Sequence, residues 1–255
     1  MRIPVLAANW KTFKTGLETL AYIREFGVLA KAAKGVEIVI APPLTSLAIA
    51  AEAARNTKVT IAAQNIYFER EGAFTGEVSA GMVKAAGASH VIIGHSERRR
   101  LFGDTDDWVN RKLRAALAAE LTPIVCIGET LAEREAGQTL EVLDRQIRLG
   151  LDGPTGDEIA ALIIAYEPVW AIGTGKVATP VEVDQAHRHI RDRLRQWFGG
   201  VPADQCRILY GGSVKPDNVR ELMGLPDVDG ALVGGASLDV RSFWEIVDRS
   251  RRAGA

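Results

Sequence analysis

Eight short runs of continuous apolar character recur along the chain: VLAANWK, VEIVIAPP, VTIAAQN, HVIIGHSE, TPIVCIGE, ALIIAYEP, RILYGGS and GALVGGAS, beginning near residues 5, 36, 59, 90, 122, 161, 207 and 230. Nothing else in the sequence limits the fold so strongly. Hydrophobicity that does not alternate marks strands covered on both faces, the condition of a parallel sheet wrapped by helices. Between the runs the period changes. Val109, Leu113, Ala116 and Leu117 fall at i, i+4, i+7 and i+8, and Leu140, Leu143 and Ile147 at i, i+3 and i+7, with charges on the opposite face. Strand and helix therefore alternate, without a composition shift or a Ser/Gly linker. At 255 residues the chain has the length of one closed (β/α)8 barrel, eight parallel strands in a single domain spanning 1–255. An open doubly wound sheet is the alternative, and the GPTG at 153–156 reads as a turn rather than a boundary.

Charge narrows the partners. With 31 basic against 32 acidic residues the chain lacks the basic excess that a nucleic-acid backbone or an anionic membrane rewards, so neither is expected. Cys126 and Cys206 lie far apart in a chain with no secretory signature, which predicts free thiols in a reducing compartment, with the cytoplasm as the expected location. MRIPVLAANWK is too short an apolar run for a signal segment, and no stretch approaches the roughly 20 uncharged residues of a membrane span.

In a closed parallel barrel the chemistry collects at the C-terminal strand ends, so the residue that finishes each run carries the information. Run one ends in Asn9, Trp10 and Lys11; run four in His95, Ser96 and Glu97; run six in Glu167; run seven in Gly211, Gly212 and Ser213; run eight in Gly234 and Gly235. Taken singly, each has an ordinary reading as a solvated carboxylate, a structural histidine, a surface lysine or a turn glycine. Context argues for more. Pro168 restricts Glu167 to extended backbone, while Val169, Trp170 and Ile172 offer apolar cover that would raise its pKa toward that of a useful general base. His95 stands just before Ser96, the expected N-cap, where the helix dipole disfavours a protonated imidazole. Lys11 supplies a fixed cation for an anionic substrate. The two diglycines, with ASLDVRSFW opening a short helix after Gly235, expose amides able to hold a phosphate. His90, His187 and His189 do not converge with His95, so no metal site is expected. GTGKVA has the spacing of a dinucleotide fingerprint but neither its strand nor its helix, and Trp170 stands where a nucleotide-binding P-loop needs its first glycine.

NWK at 9–11, GAFTGE at 72–77, GHSERR at 94–99, CIGETL at 126–131, AYEPVWAIGTGK at 165–176, YGGSV at 210–214 and LVGGASL at 232–238 follow one another in the order of the triosephosphate isomerase family, which the whole chain resembles. The AYEPVWAIGTGK block is the most specific. Thr12 and Phe13 depart from the Met-Asn common in the family, a change that concerns packing of the first helix. The resemblance implies a TIM barrel that interconverts dihydroxyacetone phosphate and glyceraldehyde 3-phosphate without a cofactor. It implies Glu167 as the base, neutral His95 as the electrophile, and Lys11 with Asn9 stabilising the developing charge. Gly173, Ser213, Gly234 and Gly235 would hold the phosphate. The family is itself a standard illustration of neutral-histidine catalysis and of gating by a loop. By resemblance, residues 168–178 form the lid, hinged at Val169–Trp170 and Lys176–Val177 with AIGTG as its tip. Ile172 and Leu232 would cover Glu167, and Glu129 and Tyr210 would brace the lid's positions. A Schiff-base aldolase on the same barrel would need a lysine at the end of run six, where Glu167 stands, and a scaffold protein would have no use for Lys11, His95 and Glu167 together. The aperiodic segment 66–77, carrying Tyr67, Phe68 and Phe74, would by resemblance dock into a second copy of the chain. A homodimer is therefore expected, with Thr75 near Asn9 and Lys11 of the partner subunit.

Overall fold

A computed structural model describes residues 2–173 and 176–250. The apolar runs are the strands β1 (Val5–Asn9), β2 (Glu37–Ala41), β3 (Val59–Ala63), β4 (His90–Ile93), β5 (Thr122–Ile127), β6 (Ile163–Tyr166), β7 (Arg207–Tyr210) and β8 (Gly230–Val233). They pair in parallel in chain order and close, β8 lying against β1, so the architecture is the barrel and not the open sheet. The sixth strand starts two residues later than the apolar run suggested. Ala161 belongs to the helix Gly156–Ala161, whose first turn is fixed by a capping box between Thr155 and Glu158.

Because side chains alternate along a strand, each strand sends one set inward and one set outward. The inward set forms its own cluster, with Val5, Ala7, Val39, Ala41, Ala62, Ile92, Ile124, Cys126, Ile163, Ala165, Leu209 and Leu232 filling the barrel. The outward set, including Leu6, Ala8, Ile164 and Ile208, packs under the helices in a larger core. This parity carries on past the strand ends. Val5 and Ala7 are followed two residues on by Asn9, Ile163 and Ala165 by Glu167, and Leu232 by Gly234. The ladder continues as well, since the amide of Glu167 donates to the Ile127 carbonyl at 2.7 Å and that of Gly211 to the Tyr166 carbonyl at 2.7 Å. The residues at the mouth are thus aimed by the pleat.

The surrounding helices bury the faces the periodicity indicated, with one shift. Helix Asp106–Ala118 buries Val109, Leu113 and Ala116 together with Lys112. Helix Thr139–Gly150 buries Val142, Leu143, Gln146 and Ile147, while Leu140, expected on its inner face, is 46 % exposed. Leu140 sits in the first turn, and the inner stripe is taken instead by Gln146, whose amide group bonds both the N–H and the carbonyl of Gly128. On the far side, fully buried Arg191 donates to Asp229 at 2.7 Å and to Asp227 at 3.0 Å, tying helix Pro180–Phe198 to the entry of β8.

The 66–77 segment has more internal structure than its lack of period implied. Tyr67 bridges to Ser79, its amide donating to Val78 at 2.8 Å. Tyr67 packs on Phe68 and on Phe74, Tyr67 and Phe68 both meet Trp108, and Arg111 lies over the Phe68 ring at 3.5 Å. The aromatics therefore find partners within the chain, while residues 70–77 remain exposed. No helix among the described residues is long and apolar enough to cross a membrane.

Candidate active site

Glu167 is 2 % exposed at the barrel mouth. Its backbone passes so close to Gly128 that a side chain there would collide with the Glu167 carbonyl, and a Cβ on Gly211 would lie 2.8 Å from its Cγ. One carboxylate oxygen is 2.9 Å from Nε2 of His95, and the other accepts the Ser96 amide at 2.8 Å. Burial pushes the carboxyl pKa up, but the charge and hydrogen bond of His95, the Ser96 amide and Lys11 outweigh it, and Glu167 is held below the ordinary carboxylate value. The expectation that apolar cover raises the pKa of this group is corrected. In this arrangement the cover is present and polar partners prevail.

His95, not Ser96, is the N-cap of helix Ser96–Phe102. Its Nδ1 accepts the Glu97 amide at 3.2 Å, while the Ser96 amide is taken by Glu167. A serine is the better cap by intrinsic preference, and the tertiary contact with the carboxylate overrides it. Burial pushes the His95 pKa down, and the neighbouring Glu167 more than offsets this, so the net direction is upward. The expectation that the helix start disfavours the protonated ring is corrected for this arrangement, because the Glu167 carboxylate beside it prevails.

Lys11 occupies the left-handed region at φ 51°, an uncommon conformation for a side chain with a Cβ. The polar ends of its neighbours hold it there. Asn9 Oδ1 accepts the Lys11 amide at 3.1 Å, and Gln64 donates from one nitrogen to the carbonyls of Lys11 at 2.8 Å and Ala41 at 2.9 Å. The ammonium lies 2.5 Å from Glu97. Glu97 stands among the residues that end the fourth apolar run but was given no role from the sequence, and Gln64 was not singled out, although it too closes an apolar run.

All eight expected residues line one cavity of about 280 Å³, namely Asn9, Lys11, His95, Glu167, Gly173, Ser213, Gly234 and Gly235. Ile172 and Leu232 line it too, next to the carboxylate they were expected to cover. Gly212 completes the glycine wall because any Cβ there would strike the Tyr210 hydroxyl. A larger cavity of about 400 Å³ lies behind Glu167, which forms part of its wall, but none of the other seven site residues reaches it. Cys126 also lines that rear space, its thiol pushed well above the ordinary value by burial and by the Glu167 charge. It is held as an inert neutral group.

The loop after Glu167 begins with the 3-10 turn Val169–Ala171. Its Trp170 indole donates to buried Glu129 at 2.8 Å, and the Tyr166 hydroxyl donates to the same carboxylate at 3.1 Å. The Arg134 guanidinium lies over Trp170 at 4.3 Å and 3.5 Å from Glu129. Arg134 was not anticipated, and no periodicity marks it. Gly173 has φ 68° and is exposed, whereas Thr174 and Gly175 of the expected tip lie outside the described residues. At the other end of the loop, burial raises the Tyr210 hydroxyl to about 12, with the Ala178 amide opposing.

A carboxylate and an imidazole in contact, a constrained lysine and a wall of glycine amides, all at the C-terminal mouth of a closed parallel barrel, define a barrel enzyme suited to proton transfer on a small anion. The family model described as triosephosphate isomerase matches residues 4–250. The chain is 58 % identical over 247 residues to a triosephosphate isomerase of Citrifermentans bemidjiense, covering 97 % of this chain and 98 % of that one. It is 55 % identical over 248 residues to one of Solibacter usitatus, covering 97 % and 100 %. The crystal structure of triosephosphate isomerase from Bartonella henselae superposes with a TM-score of 0.89 at 41 % identity, covering 98 % of this chain and all of that one. The chain belongs to the triosephosphate isomerase family and is an isomerase.

Proposed function

We propose that this chain, as a single barrel domain in the cytoplasm, interconverts dihydroxyacetone phosphate and D-glyceraldehyde 3-phosphate through an enediolate, with Glu167 as base. The observation that carries this reading is the convergence of Glu167, His95, Lys11 and the glycine amides on one small cavity. Glu167 leaves His95 and Ser96 to take a proton from the carbon beside the carbonyl, and returns it to the neighbouring carbon. His95 donates from Nε2 to the carbonyl oxygen. Nδ1 accepts the Glu97 amide, which leaves Nε2 as the donor, and the contact with Glu167 that pushes the His95 pKa up is given up when Glu167 turns to the substrate, so in this reading the ring acts as a neutral imidazole. Lys11 and Asn9 stabilise the negative oxygen, and Gly173, Ser213, Gly234 and Gly235 hold the phosphate. Residues 168–178 close over the intermediate, which would otherwise eliminate phosphate into water. A coupled assay with glyceraldehyde 3-phosphate tests the assignment. Glu167→Gln should lower kcat by at least about a hundredfold, the low end of general-base contributions, with little change in affinity for inorganic phosphate. Unchanged turnover would remove Glu167 from the chemistry.

The working unit in this reading is a homodimer. A cavity of about 660 Å³ opens beside the site, lined by Asn9, Lys11, Phe13, Gln64, Glu97, Leu101 and Phe102 among others. Phe13, Leu101 and Phe102 are 56–62 % exposed, a poor state for large apolar groups at the rim of a pocket. The exposed 70–77 tip of a second copy is the segment proposed to fill it, which would steady Lys11 from outside.

A further inference from the structure

Tyr22 belongs to the helix Gly16–Ala30 and is 4 % exposed, yet its hydroxyl does not serve that helix. It donates to the carbonyl of Ser237 at 2.8 Å. Ser237 closes the 3-10 turn Gly235–Ser237, the segment whose glycines line the substrate cavity. The turn is otherwise held by its own atoms. The Ser237 amide donates to Gly234 O at 2.8 Å, and its hydroxyl to Gly234 O at 2.7 Å and Val233 O at 3.2 Å. Among the described residues, Tyr22 is the side chain from outside the turn that hydrogen-bonds it.

The ring of Tyr22 also bears on the neighbouring segment of the site, at the end of β1, which pairs with β8. It packs edge-on to Trp10 at 4.7 Å between centroids, and Trp10 directly precedes Lys11. The Lys14 ammonium lies 4.8 Å from its centre. Stacking on Phe26 at 5.8 Å fixes the ring from below. One rigid side chain thus spans from the lysine segment to the glycine turn. The pure hydrocarbon rings Phe26 and Phe243 fill the rest of this stack, so packing alone does not require a hydroxyl here.

We propose that Tyr22 is a positioning residue for the phosphate-binding turn, setting through the Ser237 carbonyl where the Gly234 and Gly235 amides point. The proposal rests on the reading that these glycines hold the substrate phosphate. Without the hydroxyl the Ser237 carbonyl loses its buried donor and the short turn shifts to regain one.

Tyr22→Phe keeps the ring and its packing and removes only the hydrogen bond. With glyceraldehyde 3-phosphate it should raise KM about five- to tenfold with kcat within about twofold, and raise the inhibition constant of inorganic phosphate in parallel, the effect of one buried neutral hydrogen bond. Turnover of unphosphorylated glyceraldehyde, which uses Glu167 and His95 but not the turn, should be unchanged. Gly235→Pro serves as the reference, because it deletes one amide donor from the turn itself. If Gly235→Pro weakens phosphate inhibition and Tyr22→Phe does not, the role of Tyr22 is overturned while the phosphate site stands. A parallel loss with glyceraldehyde would also overturn it, as the sign of a general structural defect. Phosphate inhibition untouched by Gly235→Pro would overturn the phosphate reading, and the role of Tyr22 with it.

Discussion

Acid should destabilise this fold through one histidine outside the substrate cavity. His187 is wholly buried between Tyr166 and Tyr210, at 5.8 and 6.5 Å between ring centres, with Nδ1 3.0 Å from the Asp227 carbonyl. Burial drives its pKa down from 6.5 to about 4, against the pull of the Asp227 carbonyl and of Asp229. A histidine whose folded pKa lies below its unfolded value binds its proton on unfolding, so protons favour the unfolded chain. The stabilisation is complete above about 6.5, is lost as the pH falls, and has gone by about 4. At about 1.4 kcal/mol per pH unit the whole interval is worth about 3 kcal/mol, and the part between pH 7 and pH 5 about 2 kcal/mol. The measurement is urea unfolding at pH 7 and pH 5, followed by tryptophan fluorescence at one fixed protein concentration, for the wild type and for His187→Asn. The asparagine amide can still reach the Asp227 carbonyl but cannot take up a proton. The variant will be less stable at pH 7 for reasons of packing, so the informative quantity is the difference between the two pH values. That difference should be smaller in His187→Asn by about 2 kcal/mol. An equal pH dependence in the two proteins would refute the argument and show that His187 does not change its protonation on unfolding.

Shortening the 171–175 tip should release inorganic phosphate and methylglyoxal during turnover, since nothing would then hold the phosphate in plane or keep water out; clean isomerisation by the shortened enzyme would show that the loop does not protect the intermediate. Thr75→Arg should convert a particle of about twice the 27.5 kDa chain mass into monomers by light scattering and reduce activity at the same protein concentration, whereas a fully active monomer would uncouple assembly from catalysis.

The barrel is legible in the sequence because it follows from period, and the direction of the side chains at its mouth follows from the same alternation. A strand that sends Ile163 and Ala165 inward must send Glu167 inward next, and the same parity delivers Asn9 from Val5 and Ala7. What escaped was set by reach across the sequence. Glu97 meets Lys11 from 86 residues away, and Gln64 holds the Lys11 backbone from 53 away. Arg134 acts by lying on a tryptophan in a different loop. No local pattern encodes such contacts. The misplaced cap has the same origin, since propensity favours Ser96 until the Glu167 carboxylate claims its amide. Leu140 failed differently: three apolar residues fitted a helical stripe, but the buried face lay one step round and included a glutamine required by Gly128.

The resting place of Glu167 bears on how a carboxylate can act as a base here. Two sets of forces act on it, and they depend on different things. Burial, the largest, belongs to the cavity and stays as long as the cavity is closed; the contacts with His95 and the Ser96 amide belong to one position of the side chain. While these contacts last, Glu167 is ionised but weakly basic, ready to meet substrate without first losing a proton. In the proposed mechanism the side chain turns from His95 and Ser96 toward the substrate carbon, the stabilising contacts are given up and the desolvation remains, so its proton affinity would rise at the moment it is needed. The same turn would free Nε2 of His95 for the donation to the substrate oxygen proposed for it. The bare glycines at 128 and 211 leave the Glu167 backbone and Cγ the room they occupy in this position. A lysine or histidine in place of Glu167 could not gain basicity in this way, because burial lowers the pKa of a cationic acid rather than raising it.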